Sequence, residues 1–342
     1  MTIDMRSDLL ARPTLAMVRA MCDAAVAPTE FDLREDPRQK ALEERLAALL
    51  GKDDALVFPT CTMANQVALQ VITNPGDTVA APRDAHILTS EANAAAVLGG
   101  LQIAEVPGEP PLPPPEAWEE MARPPGNPLY ARVSAFSVEN THNRAGGAVI
   151  TCEAMAGVLA VARRRGMKVH LDGSRLFNAA VALGCAPRDL AVGCDTVSIS
   201  LNKSLGAPIA AALAGSKTTI ARALRLRQRM GGSIRPTAMP AAATLAALND
   251  WQKRIADDHR RAANLAAGLA QLSGVAVAPP QTNIVAVEIR RHGLSPEVLC
   301  RYLAEGGVLA MPFGPGRIRM VVYGDISDAA IEQAIKVTGR CL

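Results

Sequence analysis

Stretches in which apolar and polar residues alternate recur along this chain, and stretches with apolar residues at helical spacing separate them. Apolar residues take every second position over residues 196–201 and again over residues 167–172. A period of two is typical of strands that bury one face. Residues 37–50 instead place leucines at helical spacing before Gly51, and Thr151 caps a similar predicted helix that continues through Arg165. Strands and helices in alternation predict an α/β fold with a mainly parallel sheet.

The two ends of the chain follow patterns of their own. Residues 2–14 carry little apolar surface and predict an extended arm, followed by a helix over residues 15–25 that Thr14 caps. After linking helices, residues 282–337 alternate between short strands and two helices. We therefore divide the chain into an N-terminal arm, a large domain and a small C-terminal α+β domain. Their predicted bounds are residues 1–14, 15–250 and 251–342.

Charged residues stand where two of the predicted strands end. Lys203 follows the strand at residues 196–201, and Asp172 and Arg175 follow the one at residues 167–171. In open α/β sheets ligands bind beyond the carboxyl ends of the strands, so these three side chains are expected to converge. A lysine in that position is either an ordinary solvated loop residue or, when desolvated, a neutral amine that attacks carbonyl groups.

Pyridoxal 5'-phosphate (PLP) chemistry uses this combination of side chains. A lysine forms the Schiff base, a carboxylate keeps the pyridine nitrogen protonated, and cationic groups serve the phenolate oxygen or a substrate carboxylate. Residues 55–58 predict a short buried strand, and Cys61 and Thr62 come between it and the next helix. The amino terminus of that helix offers N–H groups to a phosphate, and Thr62 adds a hydroxyl; an ordinary capped helix is the alternative.

The composition excludes several classes of partner. Lys and Arg number 36 against 33 Asp and Glu, and aromatic residues make up 3%, so nothing indicates nucleic-acid binding. No apolar run has the length of a membrane-spanning helix. Seven scattered cysteines without a Cys-x-x-Cys pair argue against a disulfide framework, and we predict no metal site. Because the amino terminus carries charges where a signal peptide needs an apolar core, we expect a cytoplasmic enzyme.

Several ordered motifs resemble those of the low-specificity threonine aldolase family. In chain order they occupy residues 5–8, 58–65, 84–86, 139–147, 170–180 and 203–208. This resemblance covers nearly the whole chain and implies a PLP enzyme of fold type I, the fold of aspartate aminotransferase. Its large domain would contain a mainly parallel sheet of the seven-stranded type. The implied reaction cleaves a β-hydroxy-α-amino acid, of the threonine or allo-threonine type, to glycine and an aldehyde.

The resemblance also implies roles for four residues of the reaction centre. Lys203 would carry the cofactor, Asp172 would pair with its ring nitrogen, and the imidazole of His86 would stack on its ring. His142 matches a residue proposed to handle the proton of the β-hydroxyl group. Histidine is the side chain whose ordinary pKa lies closest to neutral pH, so the sequence leaves open which of the two does the acid–base work.

Further residues match positions that hold the cofactor phosphate or the substrate. Cys61, Thr62 and Arg235 would serve the phosphate, although Arg235 matches an arginine that serves either phosphate or substrate. Ser7, Arg175 and Arg319 are expected to hold the substrate carboxylate, with Arg175 also close to the cofactor and Arg317 a nearby rival to Arg319. A guanidinium suits this task because its fork binds both carboxylate oxygens.

The sequence departs from the family pattern at three places. Leu33 and Arg34 replace a Tyr-Gly pair, Cys61 replaces a glycine, and residues 322–324 replace a histidine-containing stretch. These changes leave the aldehyde preference open. Selectivity for L or D and for threo or erythro substrates is open as well.

Two alternative functions fit the same residues. One is a PLP-dependent β-eliminating lyase or aminotransferase on the same fold. The other is a PLP-fold protein that regulates or binds without catalysis, against which the intact Lys203, Asp172 and Arg175 argue. The resemblance further implies active sites at a dimer interface and a dimer of dimers. We therefore expect a homotetramer that acts on a small amino acid, without nucleic acid or membrane as a partner.

Overall fold

The computed structural model describes residues 2–31, 33–34, 36–122, 128–208 and 211–342. Asp32 and Glu35, next to the Leu33–Arg34 departure, lie outside the described residues. The strands are β1 (Ile3–Asp4), β2 (Asp54–Phe58), β3 (Thr78–Pro82), β4 (Gln102–Val106), β5 (Val133–Glu139), β6 (Lys168–Gly173), β7 (Thr196–Ser200), β8 (Ala211–Gly215), β9 (Val275–Val277), β10 (Ile284–Ile289), β11 (Val308–Leu309), β12 (Met311–Pro312) and β13 (Arg317–Val321).

Helices connect and cover these strands. They are α1 (Leu15–Ala25), α2 (Pro37–Leu50), α3 (Cys61–Ile72), α4 (His86–Thr89), α5 (Ala94–Gly99), α6 (Pro115–Met121), α7 (Cys152–Arg165), α8 (Leu176–Leu183), α9 (Pro187–Ala191), α10 (Lys217–Arg229), α11 (Ala238–Ala247), α12 (Trp251–Leu269), α13 (Pro296–Glu305) and α14 (Asp328–Cys341), with a 3₁₀ turn at Asp8–Leu10.

Seven strands form the large sheet, in the order β2-β8-β7-β6-β5-β3-β4. The five neighbours from β7 to β4 run parallel, whereas β8 is antiparallel to both β7 and β2. The predicted α/β class with a mainly parallel sheet is therefore confirmed. Because β6 and β7 lie side by side, the residues at their carboxyl ends come together at one sheet edge.

Alternation along β6 and β7 places their apolar and polar side chains on opposite faces. Leu171 and Ile199 are buried in the larger apolar core, together with Phe136 of β5. On the other face, Asn65 of α3 meets the polar side chains. Its Oδ1 lies 2.5 Å from Ser198 Oγ, and its Nδ2 donates to an Asp172 oxygen at 2.8 Å. The polar face is therefore buried, and its groups satisfy one another.

Local capping signals explain where several helices begin. Thr14 accepts a hydrogen bond from the N–H of Met17 at the start of α1, and Thr151 caps α7 in the same way. The predicted bounds of α1 and of α7 are confirmed. Gly51, just after α2, has a φ of 61°, a left-handed conformation that suits a glycine after a helix.

The small C-terminal part is an antiparallel sheet, β12-β13-β10-β9, packed with α12, α13 and α14. The N-terminal arm joins this part, since β1 pairs in parallel with β11 and Met5 is fully buried in its apolar core. Helix α12 contributes Ile255 to the larger core and Leu265 to the smaller one. The exact domain boundary at residue 250 thus stays a prediction. Among the described residues, no helix is long and apolar enough to span a membrane.

Candidate active site

A cavity of about 170 Å³ lies at the carboxyl edge of the large sheet. The arm, the loops after β5, β6 and β7, helix α4 and strand β13 all contribute to its wall. Its lining includes the predicted residues Ser7, His86, Arg175, Lys203 and Arg319. Residues that are far apart in the chain therefore meet at the place where the strand pattern predicts a site.

Lys203 follows β7 and lines this cavity, where it is half-buried. Burial lowers the pKa of its amine, and the nearby Arg175 guanidinium lowers it further, against the opposing effect of Asp8 and Asp172. A lowered amine pKa increases the neutral fraction, which is the nucleophilic form. Of the two interpretations of Lys203, the desolvated amine is the one that agrees with this geometry.

Asp172 is buried near the end of β6, where hydrogen bonds satisfy both of its oxygens. Oδ2 accepts from Asn65 at 2.8 Å, and Oδ1 accepts from the backbone N–H of Ser174 at 3.1 Å. Burial alone raises the pKa of this carboxyl group. The charges of His86 and Lys203 lower it by more, so its net pKa lies below the ordinary value. Asp172 is thus an anion held close to Lys203.

His86 begins α4 and is oriented by two carboxylates. Its backbone N–H donates to Glu139 at 2.7 Å, and its Nδ1 lies 2.7 Å from Glu91 Oε1. A ring nitrogen of His86 and carboxylate oxygens of Glu91 and Asp172, which are atom types that can bind a metal ion, lie within 4.8 Å of one another. Burial lowers the pKa of His86, but the bond to Glu91 and the charge of Asp172 raise it above its ordinary value. Because a carboxylate accepts at Nδ1, the proton of the neutral ring is on that atom and Nε2 is left as a base.

His142 occupies a different environment from His86. Its side chain is fully buried, and its Nδ1 accepts a hydrogen bond from the N–H of Ala145 at 3.2 Å. Nε2 has no hydrogen-bond partner within the part of the chain that the structure describes. His142 is not among the residues that line the cavity. The geometry therefore favours His86 over His142 for direct contact with a ligand.

Arg175 precedes α8 and forms a buried ion pair with Asp8 of the arm. Its Nε and Nη2 each donate to one Asp8 oxygen at 2.8 Å. Burial raises the pKa of Asp8, but Arg175 lowers it by more, to about 2. Since Asp8 occupies the Nε–Nη2 edge of the guanidinium, only the Nη1 side of Arg175 is directed elsewhere, towards Asn143 Oδ1 at 3.4 Å.

Arg319 of β13 reaches the cavity from the small domain. Nη1 donates to Asn143 Oδ1 at 2.9 Å, and Nη2 donates to the carbonyl of Arg6 at 3.0 Å. Its buried Nε has no hydrogen-bond partner among the residues described. Burial and the charge of Arg175 lower the pKa of Arg319 to about 10, so the group is a cation at neutral pH. Arg317, the rival candidate, is exposed and does not line the cavity.

The start of α3 lies beside the Asp172 strand. Cys61 is the first residue of the helix, and its Sγ lies 3.1 Å from the hydroxyl of Ser174. Thr60 caps the helix by accepting from the N–H of Met63 at 3.1 Å. The first N–H groups of a helix have no partner within it, so those of Cys61 and Thr62 are suited to an anion. Burial raises the pKa of the Cys61 thiol to about 11, so it is neutral and adds no negative charge to this region.

Arg235 and Arg34 are among the residues of the sequence analysis that do not line the cavity. Arg235 is exposed and lies over the ring of Phe31, with 5.5 Å between the guanidinium carbon and the ring centroid. Arg34 forms ion pairs with Glu43 and with Asp54, both at 2.8 Å, and so ties the loop before α2 to β2. These contacts give Arg34 a structural role within the chain.

Tyr323, in the segment that replaces the histidine of the family, also points away from the cavity wall. Its hydroxyl donates to the carbonyl of Asp4 at 2.8 Å, and its side chain is buried in the smaller core. It therefore fixes the arm to the small domain.

Sequence reasoning assigned no role to Asp8, Asn143 or Glu91. Asp8 and Asn143 stand inside the motifs at residues 5–8 and 139–147, and that position was a signal for both. Glu91 follows His86 by five residues, and an acid so close to a candidate base was an available signal. The pairing of Asp8 with Arg175 gives no local signal because 167 residues separate the two.

These residues fit a bound PLP. The buried Asp172 anion, which makes no ion pair with an arginine among the described residues, suits a protonated ring nitrogen. Lys203 lines the cavity together with Ser174, whose N–H donates to Asp172 and whose hydroxyl lies 3.1 Å from Cys61 Sγ. Open N–H groups at the start of α3 suit a phosphate. Asp172, Cys61 and Thr62 are not themselves among the residues that line the cavity, and Ser174 connects the acid and the start of α3 to it.

Comparisons with known proteins agree with this geometry. A profile of the family described as beta-eliminating lyase matches residues 4–292. The low-specificity L-threonine aldolase 1 of Arabidopsis thaliana is 34% identical over 343 residues, which cover 98% of this chain and 94% of that protein. The low specificity L-threonine aldolase of Escherichia coli K12 is 35% identical, covering 95% of each. The solved Leishmania major threonine aldolase has a TM-score of 0.84 at 17% identity, covers 99% of each chain, and supports the fold.

Proposed function

Because the chain belongs to the beta-eliminating lyase family, and within it to the low-specificity threonine aldolases, we propose that it is a PLP-dependent aldolase. It cleaves a β-hydroxy-α-amino acid of the threonine type to glycine and an aldehyde, and it is thus a carbon–carbon lyase. The observation that carries this function is the meeting of Lys203 and Asp172 at one edge of the sheet, each shifting the pKa of the other.

Four groups of the chain would hold the cofactor. Lys203 would bind it through Nζ, Asp172 would keep its ring nitrogen protonated, and the N–H groups of Cys61 and Thr62 would bind its phosphate. When bound, PLP supplies an electron sink for the pair of electrons that the breaking Cα–Cβ bond releases. Arg235 does not take part in this set within a single chain, since it is exposed over Phe31.

His86 is the residue we assign to the proton of the β-hydroxyl group. The Glu91 carboxylate fixes the proton of the neutral ring on Nδ1, and Nε2 is then the atom that accepts. The raised pKa of His86 lies closer to neutral pH, and a general base is most effective when its pKa is near the working pH. His142 does not line the cavity, and its buried ring accepts from the N–H of Ala145 in the loop after β5.

Arg319 and Ser7 are the groups we assign to the substrate carboxylate. Both line the cavity, and Arg319 carries a positive charge that no carboxylate of the described chain pairs with directly. Arg175 contributes its Nη1 side and its charge, because Asp8 holds its other edge. This arrangement orients an amino acid by its carboxylate while its β-hydroxyl group faces His86.

A product analysis tests the reaction. The holoenzyme is incubated with L-threonine, L-allo-threonine, phenylserine and a β-chloro amino acid, and glycine, aldehyde, pyruvate and ammonia are measured. Glycine and aldehyde in equal amounts from a β-hydroxy substrate are expected, and Lys203→Ala should abolish them. Pyruvate and ammonia as the main products would instead show a β-eliminating lyase, and an amino-group transfer to an added keto acid would show an aminotransferase.

A homotetramer in the cytoplasm completes the proposal. Phe31 is 87% exposed beside Arg235, and several apolar side chains of α1 are also exposed, which favours burial against another copy. The scattered cysteines and small net charge suit a cytoplasmic enzyme. Light scattering at micromolar concentration should give the mass of four chains, and a monomer would contradict the assembly.

A further inference from the structure

Asp8 lies where the arm, the large domain and the small domain meet. It is fully buried and accepts from Arg175 Nε and Nη2, both at 2.8 Å. Asn283, just before β10, donates to the same carboxylate at 3.2 Å, and the hydroxyl of Ser204, next to Lys203, lies 3.5 Å away. Such a set of charge-assisted bonds is stronger and more directional than a surface ion pair.

A series of hydrogen bonds begins at Asp8 and returns to the arm at Arg6. Together with the backbone of residues 6–8 it forms a closed ring. Arg175 Nη1 donates to Asn143 Oδ1, and Arg319 Nη1 donates to the same oxygen. Arg319 Nη2 then donates to the carbonyl of Arg6 at 3.0 Å. Ser7 is the residue between Arg6 and Asp8, so the ring holds the backbone on both sides of it.

The electrostatics of the ring depend on Asp8. Arg175 and Arg319 share one amide oxygen in a buried place, and the charge of Arg175 lowers the pKa of Arg319. Asp8 is the only carboxylate that contacts either guanidinium directly among the described residues. Without its charge, two like charges would face each other across Asn143, and the pair would separate or move towards Glu139.

We propose that Asp8 is a positioning residue of the aldolase site, which fixes Arg175 and, through Asn143 and Arg319, holds Ser7 in place for the substrate carboxylate. This inference rests on the proposed function. Asp8 itself does not line the cavity, so it acts through its partners. The arm is therefore locked to the site by one buried ion pair, in addition to its strand pairing with β11.

The substitution Asp8→Asn tests this role because the amide keeps the shape but not the charge. We expect KM for L-threonine to rise about 10²-fold, since displaced binding groups have effects of that size, while kcat falls less. Glycine binding, followed by the visible absorbance of the cofactor, should weaken in parallel. Asp325→Asn is the matched control, because Asp325 pairs with Arg12 of the same arm outside the hydrogen-bond ring, and it should leave both values unchanged.

A double-mutant cycle separates positioning from a general structural effect. If Asp8 acts through Arg175, the variant Asp8→Asn with Arg175→Gln should be no worse than Arg175→Gln alone. Additive losses would overturn the proposal, as would an Asp8→Asn enzyme with unchanged KM and glycine affinity. If Asp8→Asn fails to fold, the double variant, which removes both buried charges, should fold again; failure of both to fold would also overturn it.

The same experiment distinguishes a failure of the proposed function from a failure of the proposed role of Asp8. A wild-type holoenzyme that forms no glycine from any β-hydroxy amino acid contradicts the proposed function. An active wild-type enzyme whose Asp8→Asn variant behaves like Asp325→Asn contradicts only the role of Asp8.

Discussion

At the residue scale, the environment of each titratable group decides its chemistry. Burial and Arg175 lower the pKa of Lys203, whereas Glu91 and Asp172 raise that of His86. These opposite shifts increase the fraction of neutral amine at Lys203 and the basicity of the imidazole. Enzymes use such divergent shifts to obtain a nucleophile and a base in one site.

The pH dependence of catalysis should report the His86–Glu91 pair. Because Glu91 raises the pKa of His86, kcat/KM should fall as the pH drops through a value above the usual one for histidine. The substitution Glu91→Gln removes that effect and should move the acidic limb of the profile to lower pH. Glu119→Gln, which removes a surface ion pair with Arg164, should leave the limb in place. An unchanged profile for Glu91→Gln would show that another group controls the limb.

Replacing either histidine should separate their roles. His86→Gln should lower kcat by about 10²- to 10⁴-fold, the usual contribution of a general base. His142→Gln should change kcat by less, because His142 does not line the cavity. Steady-state kinetics on both variants measures these changes. A larger loss of kcat for His142→Gln would assign the general base to His142.

At the element scale, the site depends on where strands and helices begin and end. Strands β6 and β7 bring Asp172 and Lys203 to one edge, and the amino terminus of α3 lies beside them. Helix α3 contributes twice, through its first N–H groups and through Asn65, which contacts Asp172. A change in the first turn of α3 should therefore affect the cofactor more than the fold.

Two matched threonine caps test the phosphate role of α3. Thr60→Ala and Thr151→Ala each remove a cap whose oxygen accepts from a backbone N–H at 3.1 Å. Each should lower the free energy of unfolding by about 1 kcal/mol. Only Thr60→Ala should also weaken PLP binding, measured by titration of the apoenzyme with cofactor. Equal cofactor affinity in the two variants would exclude the start of α3 as the phosphate site.

Elements with local signals were predictable from the sequence, and elements without them were not. The threonine caps predicted where α1 and α7 begin, because capping depends on a few neighbouring residues. Strand β8, Ala211–Gly215, consists mainly of alanine, a residue that favours helices, and its place between β7 and β2 is set by tertiary packing. In the same way, Lys203 and Asp172 followed from strand periodicity, whereas the Asp8–Arg175 contact required the folded chain.

At the scale of the whole molecule, helix α12 joins the two apolar cores and carries a strained acid. Asp258 is 1% exposed, and neither of its oxygens has a hydrogen-bond partner in the described structure. The nearest cation, Arg261, lies 3.9 Å away. Burial raises the pKa of Asp258 to about 7, although Arg261 and Arg254 oppose the shift. The folded protein therefore carries the cost of a buried anion above that pH.

Replacing Asp258 should stabilise the protein in a pH-dependent way. Because its folded pKa exceeds its unfolded one, the protonated acid contributes stability at low pH that is lost as the pH rises through about 7. The advantage of Asp258→Asn over wild type should thus grow by about 2 kcal/mol between pH 5 and pH 8. Urea unfolding at both pH values measures it, with Asp257→Asn, an exposed neighbour, as the control. A constant difference would show that Asp258 stays ionised or finds a partner.

The proposed function requires that the cofactor be attached covalently to Lys203. Reduction of the holoenzyme with borohydride, followed by proteolysis and mass spectrometry, tests it most directly. We predict that the peptide containing Lys203 gains the mass of the reduced cofactor and that Lys203→Ala protein gains none. Cofactor on another lysine, or no lysine labelled in a protein that still forms glycine, would contradict the central claim.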